Sequence, residues 1–228
     1  MITLYDLSLQ NDRRPSPFCW RTKFALAHKG LKWTEVPVGF TEKDKIAFVA
    51  SNTVPVLKDG ETGVKDSWAI AIHLDKAHPD KPLFKSEMAL SYARFANGFV
   101  DTVVQPALFP IVVGDLYERV RLADQPYFQE SRGKRLGTTD FAAFQAKARE
   151  KGVAAFRGVL EPARRVLKEQ PFLAGTHPAY PDYALAGAFM WARIISPLVL
   201  LDGDDVVHAW RERMLDLYDG LARKALAA

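Results

Sequence analysis

The sequence predicts a small α/β unit followed by an all-α one. Three observations carry this: strand-like and helix-period runs alternate over the first 80 or so residues, strand signals stop after "PDKPLF" (79–84), and helical periodicity fills the remainder. With 228 residues, 48% of them hydrophobic, the chain can bury one large core or two modest ones. The expected domains are 1–80 and 88–228.

The opening "ITLYDL" (2–7) alternates β-favouring side chains and reads as a strand, followed by a polar loop, "SLQNDRRP". A helix with both ends marked comes next: Ser16 at the N-cap, Pro17 in the first helical position and Gly30 just past the end. Trp20, Phe24 and Ala27 share one of its faces. "LKWTEVPV" (31–38) reads as a second strand, so the opening is β-α-β, two parallel strands joined by a helical crossover. Residues 40–53 carry at most a short helix. "VPVLKDGETGVKDS" (54–67) gives two short strands around an Asp-Gly turn, and "DSWAIAIHLDKAHP" gives a helix capped by Asp66 or Ser67 and ending before Pro79. The order is therefore β-α-β-α-β-β-α. Beyond it, residues 87–125, 139–169, 181–195 and 205–226 are expected to be helical, and "YALAGAFMWA" (183–192) is apolar all round, as a helix buried among helices would be.

Composition excludes several function classes. The start "MITLYDLSLQNDRR" carries charges where a signal peptide needs an apolar run, and no later segment reaches about 18 uncharged apolar residues, so a cytoplasmic protein with no membrane partner is expected. One cysteine rules out an internal disulfide and a cysteine-rich zinc site, and five scattered histidines lack metal-ligand spacing, so no metal site is expected. The formal charge of +4 is mild. Its densest basic stretch, "SRGKRLG" (131–137), sits among Gly and Ser and reads as a solvated loop, not a nucleic-acid surface.

"PSPFCW" (15–20) is the most informative stretch. A Cys-x-x-Cys at a helix start is a redox pair, because the helix terminus stabilises the first thiolate and the second thiol resolves it. Here the first position is Ser16 and only Cys19 remains. Free cysteines are usually packed as small hydrophobes, so Cys19 reads as core, whereas the Ser16 hydroxyl can donate a hydrogen bond to a thiolate brought by a ligand.

"SPFCWR" on the first helix, Val54-Pro55 before a strand and Asp66-Ser67 before the next helix, in this order and spacing, resemble the cytosolic glutathione transferase family along the whole chain. Within it, "SPFCWRTKFALAHKG", "GFT", "VPVLKDGE", "DSWAIAIHLD" and "DLYDGLAR" look most like the bacterial glutathione-dependent β-aryl etherase branch. The resemblance implies a thioredoxin-like N-terminal domain, an all-helical domain bearing a hydrophobic substrate site, glutathione as co-substrate and a homodimer. It implies that Ser16 is catalytic, that Pro55 is cis, and that Val54, Asp66 and Ser67 bind glutathione. Lys43 or Lys45 is nominated for its glycyl carboxylate, and Phe95, Phe99, Val103 and Phe109 for an apolar wall facing an aromatic compound. Asp182 matches the capping acid of the central helix of the α-domain, although the usual Ser or Thr three residues earlier is Ala179. The expected activity is thiolate attack on a hydrophobic, aromatic electrophile, by conjugation or aryl ether cleavage, in detoxification or aromatic compound degradation. Two alternatives stay open: a thiol oxidoreductase using Cys19, and a non-catalytic binding protein of the same fold.

Overall fold

The computed structural model describes residues 1–228. Four strands form one mixed sheet in the order β2-β1-β3-β4. The central strand β1 (Ile2–Leu7) pairs in parallel with β2 (Trp33–Val38), reached through helix α1 (Pro17–Lys29). Strands β3 (Val56–Asp59) and β4 (Thr62–Lys65) form an antiparallel hairpin beside β1. A short 3-10 helix, Lys43–Val49, fills the weak stretch between β2 and β3, and α2 (Ser67–Ala77) follows β4. The β-α-β-α-β-β-α order is as expected, and the Val54–Pro55 peptide bond is cis.

Alternation along β1 turns Ile2, Leu4 and Asp6 inward. Asp6 is a charge in a core, and burial of an unpaired carboxylate would be costly. Lys23 of α1 answers it, with Nζ 2.7 Å from Asp6 and 2.9 Å from Glu35 of β2. This pairing ties α1 to two strands at once.

Strand structure ends at Lys65, and helices make up the rest: α3 (Glu87–Phe99), α4 (Gln105–Arg119), α5 (Gln125–Leu136), α6 (Phe141–Val159), α7 (Glu161–Glu169), α8 (Tyr180–Ile195) and α9 (Val206–Gly220). A π-helical turn, Val100–Val104, joins α3 to α4. It falls just before Pro106, whose missing N–H removes a rung from the regular ladder. The joined helix, Glu87–Arg119, runs 33 residues and has an 18-residue window of mean hydropathy 1.4 that is 50% buried, so by length and composition it could cross a bilayer. Asp101 interrupts the stretch, which is why a search for uncharged runs passes over it. Its Val104, Leu108, Ile111 and Val112 are core residues of the folded chain.

Three helical expectations need correction. The segment 139–169 is two helices broken at Leu160, because Pro162 starts the second. The segment 205–226 holds its helix only to Gly220 and loses regular dihedrals at Leu217–Asp219. "SRGKRLG" is no loop: residues 131–136 are the last turns of α5, and Gly137 caps it in the left-handed conformation. Gly133 belongs inside that helix because a Cβ there would lie 2.8 Å from Thr139.

The buried helix α8 is the axle of the molecule, with every residue from Tyr180 to Ala192 buried. Its start is held by Asp182, which accepts hydrogen bonds from the amides of Leu173, Ala174 and Ala179 and from Trp210 Nε1, at 2.7–3.2 Å. The cap therefore stands without a hydroxyl at Ala179, as the sequence implied. On the other side α8 packs against α1: Phe24 stacks on Tyr183 with ring centroids 5.6 Å apart, and a Cβ at Gly187 would lie 2.3 Å from the Pro17 carbonyl oxygen. One hydrophobic cluster of 48 buried residues spans the sheet side and the helical side. The two halves are thus joined by a shared core, and their junction fixes the first turn of α1.

Candidate functional site

Pro17 presets the first helical φ of α1 and has no N–H to satisfy, while the Ser16 hydroxyl oxygen accepts from Cys19 N at 3.2 Å. That is the one hydrogen bond the Ser16 side chain makes within the protein, and it uses the oxygen as acceptor, so the hydroxyl proton remains to be donated. Ser16 is 4% exposed and opens on a cavity of about 350 Å³. The positive end of the α1 dipole points at the same place.

The cavity lies between the two halves. Ser16, Pro17 and Phe18 form its floor, and Gly39, Phe40, Lys43, Thr53 and Val54 one wall. The helical side supplies Phe109 and Trp191, stacked 6.1 Å apart, together with Tyr127, Arg132 and Arg135. No Asp or Glu lines it.

The residues singled out in the sequence divide accordingly. Ser16 and Val54 come together on the cavity. Asp66 and Ser67 do not line it; they form the start of α2 just beyond Pro55, where Asp66 N donates to the Pro55 carbonyl at 3.3 Å. Asp66 is the cap and Ser67 the first helical residue: Asp66 takes a φ of 75°, and its carboxylate accepts from Trp68 N and Ala69 N at 3.0 Å each. Lys43 faces the cavity, 4.6 Å from the Tyr127 ring centre, whereas Lys45 is tied to Glu42 and the Pro37 carbonyl outside it. Of the expected apolar wall, only Phe109 lines the cavity. Phe95 is 73% exposed and Val103 37%, both on the solvent side of the helix, and Phe99 packs partly buried against the core.

Cys19 is wholly buried, and burial pushes its thiol well above the ordinary value, with the Asp6 carboxylate adding to the effect. A thiol held protonated and out of solvent is a poor nucleophile.

Sequence reasoning missed the two arginines of α5. They sit three residues apart on one helical face, Arg132 over the Phe40 and Phe128 rings at 5.7 and 5.3 Å and Arg135 over Phe109 at 4.9 Å. Their signal in the sequence is a basic pair, which the Gly and Ser of "SRGKRLG" make look like a loop.

The wall formed by Gly39–Lys43 is clasped to the helical side. Arg121 Nε lies 2.7 Å from Asp124 Oδ2, and Arg121 Nη1 lies 3.1 Å from Glu42. The Thr41 amide and hydroxyl both donate to Asp124 Oδ1, at 2.9 and 2.7 Å. Burial opposes ionisation of Asp124, yet the Arg121 and Thr41 hydrogen bonds outweigh it and hold the carboxyl below its ordinary value.

Comparison with known proteins accords with this geometry. The glutathione S-transferase C-terminal domain family matches residues 91–210, and the N-terminal domain family of the same name matches residues 15–77. The chain belongs to the glutathione S-transferase family. Among curated relatives, glutathione S-transferase Z1 of Arabidopsis thaliana is 31% identical over 113 residues, which is 46% of this chain and 50% of that protein. A zeta-class glutathione S-transferase of Euphorbia esula is 30% identical over 109 residues, 44% of this chain and 48% of the relative. The chain spans about half the length of the curated relatives it matches. Two solved structures share the fold. CsGST63524 of Ceriporiopsis subvermispora, solved in complex with glutathione, has a TM-score of 0.80 at 20% identity, covering 96% of each chain. GSTFuA3 of Phanerochaete chrysosporium has 0.76 at 24% identity, covering 96% of this chain and 92% of that one.

The clasp has a pH signature. Because the folded pKa of Asp124 is depressed, its stabilisation is present above the unfolded value near ~4 and is lost as pH falls through the folded pKa. Asp124→Asn is expected to lower stability at pH 7 by about 1–3 kcal/mol and to flatten the stability loss of wild type between about pH 5 and 3. Urea unfolding at stepped pH reads both; parallel pH profiles for the two proteins would show that the clasp contributes nothing.

Proposed function

We propose that this chain is a glutathione-dependent transferase in which Ser16 stabilises the thiolate of glutathione for attack on an aromatic electrophile. The observation that carries it is the Ser16 hydroxyl, buried at the α1 terminus with its proton undonated and facing a cavity floored and roofed by aromatic rings. A thiol of pKa ~8.5 is only a few per cent ionised at pH 7, and lowering it by two units takes about 2.7 kcal/mol. One hydrogen bond to a charge at roughly 1.5–3 kcal/mol plus a helix terminus at ~0.3–1 kcal/mol is sufficient.

In this reading glutathione lies along the Val54-Pro55 turn that leads into β3. The Val54 backbone, turned by the cis Pro55, takes its peptide part as an added strand, while Ser67 and the first-turn amides of α2 take the γ-glutamyl carboxylate and Asp66 its amine. Lys43, the one of the two nominated lysines on the cavity, takes the glycyl carboxylate. The thiol proton leaves to solvent. The thiolate sulfur then bonds to the electrophilic carbon, and the bond to the halide or aryloxide breaks with its electron pair going to the leaving group. Aryl ether cleavage is one form of this step and rests on the resemblance of "SPFCWRTKFALAHKG" and "DLYDGLAR" to the etherase branch. The buried, protonated Cys19 weighs against a thiol oxidoreductase.

The reading includes a C2 homodimer, supported by Met88, Tyr92, Phe95 and Val103, exposed apolar residues spaced along one helix. Sedimentation at micromolar concentration is expected to give twice the 25.5 kDa chain mass, and a monomer mass would remove the dimer.

Ser16→Ala is expected to lower kcat/KM with 1-chloro-2,4-dinitrobenzene by about 10–100-fold, equivalent to roughly 1.4–2.7 kcal/mol. Its glutathione affinity by calorimetry stays within about threefold, Ser16→Thr recovers part of the rate, and Cys19→Ser stays within about twofold of wild type. Unchanged turnover in Ser16→Ala would defeat the assignment. Activity lost in Cys19→Ser alone would favour the oxidoreductase.

A further inference from the structure

The cavity that Ser16 faces is not merely apolar. Three cations line it, Lys43, Arg132 and Arg135, and no carboxylate does. Elsewhere in the molecule most arginines have an oxygen partner: Arg14, Arg21, Arg121, Arg149, Arg157 and Arg164 lie within 4 Å of an Asp or Glu, and Arg13, Arg119, Arg193 and Arg213 donate to backbone carbonyls. Arg132 is half-buried and its only side-chain hydrogen bond in the protein is to its neighbour Ser131, at 3.1 Å. Arg135 has no ion pair or hydrogen bond and lies over Phe109.

A half-buried guanidinium without a counterion is costly. Burial pulls Arg132 below its ordinary pKa, the Tyr127 hydroxyl opposes that pull, and the charge of Arg135 adds to it. Arg132 and the more exposed Arg135, three residues apart on α5 and lying over the Phe40 and Phe109 rings that line the cavity, form a fork above an aromatic slot. Lys43 stands on the opposite wall and is already assigned to glutathione, so the pair on α5 is left for the second substrate.

We infer that Arg132 and Arg135 are an anion-binding site for the second substrate, which is an aromatic electrophile bearing a carboxylate or a similarly compact negative group. The ring lies between Phe109 and Tyr127, and its anionic substituent reaches α5. The inference deepens the transferase reading and rests on it for the thiolate, but anion recognition can be measured without any turnover.

The probes are 4-chloro-3-nitrobenzoate and its methyl ester, which differ in charge at nearly constant shape. Binding of each to the full chain is measured by Trp fluorescence without glutathione, and kcat/KM is measured with it, for wild type, Arg132→Gln, Arg135→Gln and the double variant. Arg132→Lys controls for folding by keeping the charge, and effects are compared variant to wild type for each probe because acid and ester differ in intrinsic reactivity. The expected result is an acid bound at least about tenfold tighter than its ester by wild type. The double variant loses most of that preference, the ester and glutathione affinities stay within about twofold, and Arg132→Lys retains part of it. Equal binding of acid and ester by wild type, or a preference that survives in the double variant, overturns the inference. A tenfold loss of glutathione affinity in the double variant also overturns it, since the arginines would then serve the co-substrate. Selective binding of the acid by a wild type that fails to bind glutathione would leave the anion site standing and remove the transferase reading instead.

Discussion

The site depends on the close seating of α1 against α8. Because Gly187 brings the α8 backbone against the Pro17 carbonyl, and Phe24 stacks on Tyr183 one face further along, the first turn of α1 cannot move without disturbing the most buried helix of the molecule. The Lys23 ion pairs to Asp6 and Glu35 pin the middle of α1 to the sheet. A hydroxyl at the start of such a helix is held in place by packing that extends to both halves. That is what preorganised stabilisation of a developing or standing charge requires.

Around that fixed point the walls are adjustable in chemistry and held by separate means. The Gly39–Lys43 wall is clasped through Arg121 and Asp124, so a change in the helical half is felt by the lysine that faces the cavity. The helical wall contributes rings and uncompensated arginines. Opposite charges are thus segregated: the carboxylates near the cavity are consumed in the clasp, and the cations facing the cavity have no carboxylate partner. That balance is what the inferred preference for an anionic electrophile requires.

Much of the fold was legible because its signals are local. Ser16, Pro17 and Gly30 bound α1 where the sequence put them, the two hairpin strands flank Gly60, and Asp66 caps α2. Asp182 was legible as a cap without its usual hydroxyl partner because a carboxylate can accept several amides at once. What was not legible depended on distant contacts. Gly133 made α5 look like a loop, and only the proximity of Thr139 explains a glycine inside that helix. The arginines of the cavity were lost with it. Likewise, apolar spacing from Phe95 to Phe109 suggested one wall, but the π turn at Val100–Val104 rotates the helical phase, so Phe95 and Val103 face outward while Phe109 faces the cavity. Cavity residues on the sheet side come from motifs within the first 54 residues. Those on the helical side come from three separate helices, α4, α5 and α8, which no local pattern connects.

The proposed transferase function requires that the terminus of α1 lower the pKa of a bound thiol. The most direct measurement is a pH titration of thiolate absorbance near 240 nm for glutathione bound to wild type, with free glutathione and the Ser16→Ala complex as references. The account predicts a bound thiol ionising about one to two units below free glutathione, with most of that shift lost when the hydroxyl is removed. Ionisation at the free value in a wild-type complex that has formed would contradict it.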